Sequence, residues 1–256
     1  MRVEAVILSH TDWGETDRLL AMFTRELGKV RAIAKGARKP QSRKAGHIEP
    51  LMRTQLQLAR GRDLFIVTQA ENIEAYEQLR TDLTLLGYAA YCIELLDRFT
   101  YEEGENRTLY DLIKNTLQRL STQPNPVLIV RYFEIRLLDL LGFRPHLFHC
   151  AKCEADIKPE DQFFSAEQGG ILCPTCGRGT GGVRPVTISP LKYLRHFQRS
   201  SYREAKRAVI SPTTHRELEI IMQHYLTFLL ERNLNTPSFQ RRIQKGEPID
   251  LGAPKE

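Results

Sequence analysis

The chain has 256 residues, of which 41% are hydrophobic and 8% aromatic, and carries a formal net charge of +6. That length accommodates one large domain or two to three small ones. No apolar run reaches the roughly 18 residues of a membrane span, and the opening stretch Met1 to Leu8 is too short and is interrupted by Glu4, which argues against a secretory signal.

Residues 1 to about 78 read as short strands. Val3–Leu8, Leu19–Thr24, Val30–Ala34, Leu51–Leu58 and Leu64–Thr68 are apolar-rich runs separated by turn residues, although their alternation is not clean. The breaks at 11–17 and 26–28 have the composition of hairpin loops. About five short strands in under 80 residues predict a small closed barrel, because closure removes exposed strand edges.

Charge is concentrated in this region. Between residues 29 and 62 there are ten basic residues and one acid, Glu49, so the segment carries +9 and the rest of the chain nets −3. A concentrated patch on a mildly acidic body is the pattern of a polyanion site. Its candidates are Lys29, Arg31, Lys35, Arg38, Lys39, Arg43 and Lys44, most of them in a Gly-, Pro- and Ser-containing stretch that reads as a flexible loop tracking a phosphate backbone. Trp13, Phe23 and Phe65 are the nearby aromatics available for base stacking, with Trp13 and Phe65 each read as packing residues first.

From about residue 79 the periodicity is helical. Cys92 lies on the apolar stripe 88/91/92/95/96/99 and reads as a small buried hydrophobe. Leu109, Leu112, Ile113, Thr116, Leu117 and Leu120 keep helical spacing. After Pro124-Asn125-Pro126, Val127 to Leu141 is apolar on most of its circumference and stops at Gly142. Arg131 and Arg136 stand three residues before Glu134 and Asp139, which fits internal ion pairs. Ser189-Pro190 reads as a helix start carrying the basic face Lys192, Arg195, His196 and Arg199, either a solvated face, an extension of a DNA track or a receptor for an acidic peptide. Thr214 and Glu217 have the spacing of a capping box for a last helix.

Between these helices lie Cys150-x-x-Cys153 and Cys173-x-x-Cys176. Four thiolates so spaced can close a tetrahedron around one Zn²⁺, and a closed Cys₄ shell has no open position for catalysis. A disulfide pair is the alternative. Four clustered cysteines, one buried thiol and no export signal point to a reducing cytoplasm. Enzyme motifs fail their context. Gly177-x-Gly179-x-x-Gly182 follows a cysteine turn rather than a strand, and His47-Ile-Glu49 lacks the ligand arrangement of a zinc deaminase. The chain reads as a non-enzyme, and its rival reading is a zinc-ribbon module contacting protein or RNA in transcription or ribosome assembly.

Several blocks occur together and in order: Val6-Ile-Leu8 with Gly14-Glu-Thr-Asp17, Phe23-Thr24 and Gly28; Lys35-Gly-Ala-Arg38 with Ser42-Arg43 and Glu49-Pro50; and Phe133-Glu-Ile-Arg136 through Gly142-Phe143-Arg-Pro145 running into the first cysteine doublet. In these the chain resembles the bacterial RecO family, recombination mediators of DNA repair, from Ala5 to about Leu234. The resemblance implies an α+β multidomain protein: an N-terminal OB-fold barrel (1–78), an α-helical domain (79–143 and 187–236) and an inserted Cys₄ zinc module (144–186); the tail 237–256, which matches the family poorly, has few apolar residues and reads as mobile. It also implies binding of single- and double-stranded DNA, strand annealing, partnership with RecR and loading of RecA. It further implies contact with the acidic C-terminal tail of single-stranded-DNA-binding protein (SSB), with Arg131 or Arg136 as the gripping residues. Such a protein belongs in the bacterial cytoplasm, associated with the nucleoid.

Overall fold

The computed structural model describes residues 1–102 and 104–230. It divides into two compact units at Pro124/Asn125.

The first unit is built on five strands, β1 (Arg2–Trp13), β2 (Asp17–Thr24), β3 (Gly28–Ala34), β4 (Arg53–Arg60) and β5 (Phe65–Glu74), closed in the order β1-β2-β3-β5-β4. The β3–β5 pairing is parallel and the others antiparallel. This is the strand order of an OB-fold. Val3, Ala5, Ile7, Leu20, Met22, Leu56 and Val67 fill the barrel. The alternation in β1 is blurred because Val6 and Leu8, on the opposite face from that core, are buried as well, with a helix packed against this strand.

All five strands differ in their bounds from the sequence expectation; β5 runs on to Glu74 rather than ending at Thr68, and two other shifts have a local cause. β1 runs five residues past Leu8 through a bulge between Ile7 and Ser9, and its polar extension is held by pairing with β2. β4 starts at Arg53 and not at Leu51, because Leu51 adopts a left-handed conformation (φ 73°) and donates its N–H to the Ile7 carbonyl. Three helices complete this unit: α1 (Glu77–Thr81), α2 (Leu83–Phe99), capped by the Asp82 side chain, and α3 (Arg107–Thr122), capped by Asn106. Cys92 is buried in α2.

In the second unit α4 (Pro126–Leu140) is capped by Asn125 and buried over most of its surface. It ends at Gly142, whose φ of 82° favours glycine, and Phe143 N–H closes the turn on Leu138 O at 2.8 Å. A three-stranded antiparallel sheet follows, β6 (Gln162–Ser165), β7 (Gly170–Leu172) and β8 (Val183–Val186) in the order β7-β6-β8, with the single-turn α5 (Pro174–Gly177) between β7 and β8. Then come α6 (Ile188–Arg199), α7 (Tyr202–Ala205) and α8 (Pro212–Leu230). The ribbon is fastened within its unit by Tyr225 Oη donating to Phe143 O, by the edge-on Phe164–Tyr225 pair and by Gln198 Nε2 donating to Pro145 O.

Two helix starts also shift. α6 begins at Ile188 behind Thr187, one residue ahead of Ser189-Pro190. Ser211, and not Thr214, caps α8, accepting from Thr214 N–H, so Thr214 lies inside the helix. The capping box of this region belongs to Ser201 and Glu204 on α7. The unit boundary at 124/125 groups α1–α3 with the barrel and the remaining helices with the ribbon, whereas the sequence pattern assigns all helices to one domain. The tail 237–256 and the last residues of the expected helical domain lie outside the described residues. Among those described, no helix is long and apolar enough to cross a membrane.

Candidate metal centre and nucleic-acid interface

The four cysteines come from two turns. Cys150 and Cys153 sit in the turn after the α4 exit, and Cys173 and Cys176 flank the start and body of α5. Their Sγ atoms all lie within 4.8 Å of one another, with Cys153 and Cys173 at 3.9 Å. A tetrahedral ion with metal–sulfur bonds of about 2.3 Å sets its sulfurs about 3.8 Å apart. Burial pushes the Cys150 thiol up, but N–H groups of Cys173, Cys153 and Lys152 outweigh it and bring it down to about 6. Cys176 is pushed up to about 12 by hydrogen bonds with Cys153 and Cys173. Cys150 is thus prepared as a thiolate, while Cys176 keeps a proton that a cation would displace. Gly177 lets the knuckle lie flat on Phe163, since any Cβ there would enter that ring. The cluster can hold a metal ion, and its all-thiolate donor set and spacing fit zinc.

The barrel sorts the seven candidate cations into two groups. Lys29 is drawn onto α2: its Nζ lies 2.8 Å from Asp97 Oδ1 and donates to the carbonyls of Asp97 (2.6 Å) and Thr100 (3.2 Å). Arg31 pairs with Glu102. Arg38 pairs with Asp12 at 3.3 Å and donates to the carbonyls of Gly14 and Glu15. These three are held by this chain's own acceptors, which sequence counting could not show. Lys35, Lys39 and Arg43 are exposed and make no ion pair with a described residue; Lys44 donates to Val67 O at 3.2 Å.

The loop carrying them is tied to the barrel by burial and by backbone hydrogen bonds. Ala37 and Ile48 are buried in the barrel core, Arg38 N–H bonds Thr16 O, and consecutive turns close on Ala34, Gly36, Lys39 and Lys44. A groove of about 640 Å³ beside it is lined by Arg2, Arg43, Lys44, Gln55, Gln57, Thr68 and Gln69, and by one acid, Glu71. Arg2, Gln57 and Gln69 form one cross-strand row over β1, β4 and β5. A smaller recess of about 260 Å³ holds exposed Arg60 and Arg62 beside Phe65 and Arg31. The sequence reading omits Arg2, Arg60 and Arg62 from the site. The last two were within the +9 segment, and only their clustering at one recess sets them apart. Phe23 is buried and unavailable for stacking, whereas Trp13, read first as a packing residue, is 49% exposed.

The α6 face is a different surface. Arg195 Nε donates to Leu147 O at 2.8 Å, and the Arg195 and Arg199 guanidiniums lie 5.0 and 3.5 Å from the centre of the Phe148 ring. With Lys192, Ile188 and Leu191 they line a groove of about 850 Å³, which also includes Lys158 and Glu160. Burial, then neighbouring Arg199, lowers the Arg195 pKa.

Arg131 does not fit the role the resemblance implied. It is 3% exposed and lies 3.0 Å from Glu134, itself fully buried. A side chain sealed within the unit cannot grip a peptide arriving from solvent. Arg136, half-buried, pairs with Asp139 at 3.1 Å, and its guanidinium lies 3.4 Å from Gln198 O. The internal-ion-pair reading of both is the observed one.

Two family models match the chain: recombination protein O N terminal over residues 1–76 and recombination protein O C terminal over residues 80–238. Relatives named DNA repair protein RecO include that of Roseiflexus sp. (strain RS-1), 39% identical over 98% of this chain and 90% of that protein. That of Moorella thermoacetica is 35% identical over 97% of this chain and 93% of its own length. A third, from Dehalococcoides mccartyi (strain BAV1), is 35% identical over 90% and 91%.

Proposed function

The chain belongs to the recombination protein O family, and from that premise we propose that it is a non-enzymatic mediator of DNA repair and recombination that binds DNA through its barrel. The observation that carries this reading is the loop, tied to the barrel, that holds Lys35, Lys39 and Arg43 exposed and without ion-pair partners among the described residues, next to a groove lined by amides and by Arg2, Arg43 and Lys44. Cations held this way contact phosphates without reading sequence. Each contact releases counterions, so binding weakens steeply with salt. Two strands held on such surfaces repel each other less, and complementary bases meet and pair faster. No bond breaks and no nucleotide is consumed.

Both single- and double-stranded DNA present the phosphates this surface takes. Partnership with RecR and the loading of RecA onto SSB-coated strands rest on family membership alone. For the acidic SSB tail we propose the α6 groove, where Lys192, Arg195 and Arg199 stand over Phe148. One structural zinc per chain in the four-cysteine site braces the second unit, and the protein works in the bacterial cytoplasm at the nucleoid.

The test is annealing of complementary oligonucleotides without ATP. A Lys35→Ala/Lys39→Ala/Arg43→Ala variant is expected to anneal slowly and to lose about 2 from the slope of log affinity against log salt on single strands, at roughly 0.7 per contact. Annealing at the parental rate by a correctly folded variant would refute the proposal.

A further inference from the structure

Trp13 ends β1 at the turn into β2, and half of its surface faces solvent. An indole left in water forgoes the burial that a packing residue would gain. Its surroundings make the contact specific. Asp17 is its cross-strand partner, and directly opposed residues of an antiparallel pair share a face. Asp17 Oδ1 accepts the Gly36 N–H at 2.7 Å, which brings the start of the β3–β4 loop onto that face. Thr16 O accepts the Arg38 N–H at 2.9 Å, and the Arg38 guanidinium holds the Gly14 and Glu15 carbonyls.

The turn presenting the indole and the loop presenting the cations are therefore fastened into one body. The Gly36 N–H, then the Thr16 hydroxyl and after them the Lys35 and Lys39 charges, hold the Asp17 carboxyl below its usual range, so Trp13's partner feels both ammonium groups. Two acids flank the indole. Asp12 is countered by Arg18 and Arg38, while Glu15 is exposed and makes no ion pair with a described residue. Of the three aromatics near the loop, Phe23 is buried and Phe65 sits half-buried in the separate recess by Arg60.

We propose that Trp13 stacks on an unpaired base of a strand whose phosphates are held by Lys35 and Lys39, and that this contact gives the barrel its preference for single over double strands. The cations cannot supply that preference, because duplex and single strand both offer phosphates. A base within a duplex has both π-faces covered by its neighbours, whereas an unpaired base has a face free for an indole. The inference rests on the DNA-binding reading and adds to it which form of DNA is chosen and by which side chain.

The chain has a single tryptophan, so its fluorescence reports this position alone. The full chain is titrated with oligo-dT and with a duplex of mixed sequence. Single strands are expected to quench the emission at saturation, and the duplex to leave it nearly unchanged. Trp13→Ala is expected to weaken single-strand binding by roughly 5- to 100-fold, the range of one base–aromatic stack. Duplex affinity and the salt slope should stay put, and Trp13→Phe should recover most of the loss. Unchanged emission at single-strand saturation, or equal losses on both forms of DNA, would overturn the inference while leaving the DNA-binding reading intact. A parent protein that binds neither form defeats both. Circular dichroism and melting verify the variant's fold, and were it to unfold, the parental emission still decides.

Discussion

Two cationic surfaces of similar charge meet solvent in different ways. On the barrel, Lys35, Lys39 and Arg43 project from a polar loop, beside amide side chains and one exposed indole. On α6, Arg195 and Arg199 lie against the ring of Phe148, with Lys192 and apolar Ile188 and Leu191 lining the same groove. The first suits a long, repetitive, hydrated polyanion that must be gripped at many points. The second suits a compact anion with an apolar part, because the floor excludes water and the guanidiniums are already oriented. Composition describes both as basic; the apolar or polar ground beneath the charges separates them.

Removing metal is the strongest way to split the two surfaces. A structural zinc contributes on the order of 10 kcal/mol of apparent binding free energy. Chelation, or Cys173→Ser, is therefore expected to abolish amide-exchange protection in β6–β8 and to disrupt the α6 groove. DNA binding by the barrel, which has its own core, should persist. Elemental analysis of reduced, freshly purified protein should find about one zinc per chain, and metal content near zero would contradict the assignment.

Arg131 gives the next largest effect, on stability and not on partner binding. Arg131→Ala leaves Glu134 buried without its ion pair, which costs about 3–5 kcal/mol. Thermal melting should show a drop of several degrees. A variant that melts like the parent but loses the acidic peptide would restore Arg131 as a contact residue.

The groove itself is probed by Arg199→Glu. Affinity for an acidic SSB-tail peptide, measured by fluorescence anisotropy, should fall by about tenfold or more, since losing the cation over the ring and adding a like charge each cost on the order of 1 kcal/mol. Affinity for single strands should change by less than about threefold. A reversed ranking would merge the two surfaces into one DNA track.

The smallest effect concerns the Asp17 pin. Its folded-state pKa lies below the ordinary value, chiefly through the Gly36 N–H. A depressed pKa means the carboxylate stabilises the fold fully above the unfolded-state value, about pH 4, and loses that contribution as pH falls through the folded value. The stability difference between the parent and Asp17→Asn should be constant near neutral pH and shrink below about pH 4. A difference that instead grew on acidification would show the pin assigned with the wrong sign.

The cysteine spacing and five-strand count were legible in the sequence because both are local: each doublet spans a single turn, and strands announce themselves by composition over a few residues. The long helices of both units were readable from their apolar stripes, the short α1, α5 and α7 were not, and Gly142 marked the end of α4. Cap positions slid where two adjacent candidates competed, as Ser211 did with Thr214. The site was less legible. Lys29 meets Asp97 68 positions away, Arg38 meets Asp12 across two strands, and the spacing that paired Arg131 with Glu134 could not show that the pair is sealed from solvent.

By itself the sequence determined the barrel, the helices, the four-thiolate cluster and an excess of positive charge near the N-terminus, because composition, periodicity and short spacings encode these directly. Tertiary structure alone decided which of those charges remain available, and it exposed Trp13 at the turn that is bonded to the loop carrying Lys35 and Lys39. Both outcomes depend on side chains far apart in the chain meeting in space, and a net charge is the same whether its carboxylates are adjacent to the cations or distant.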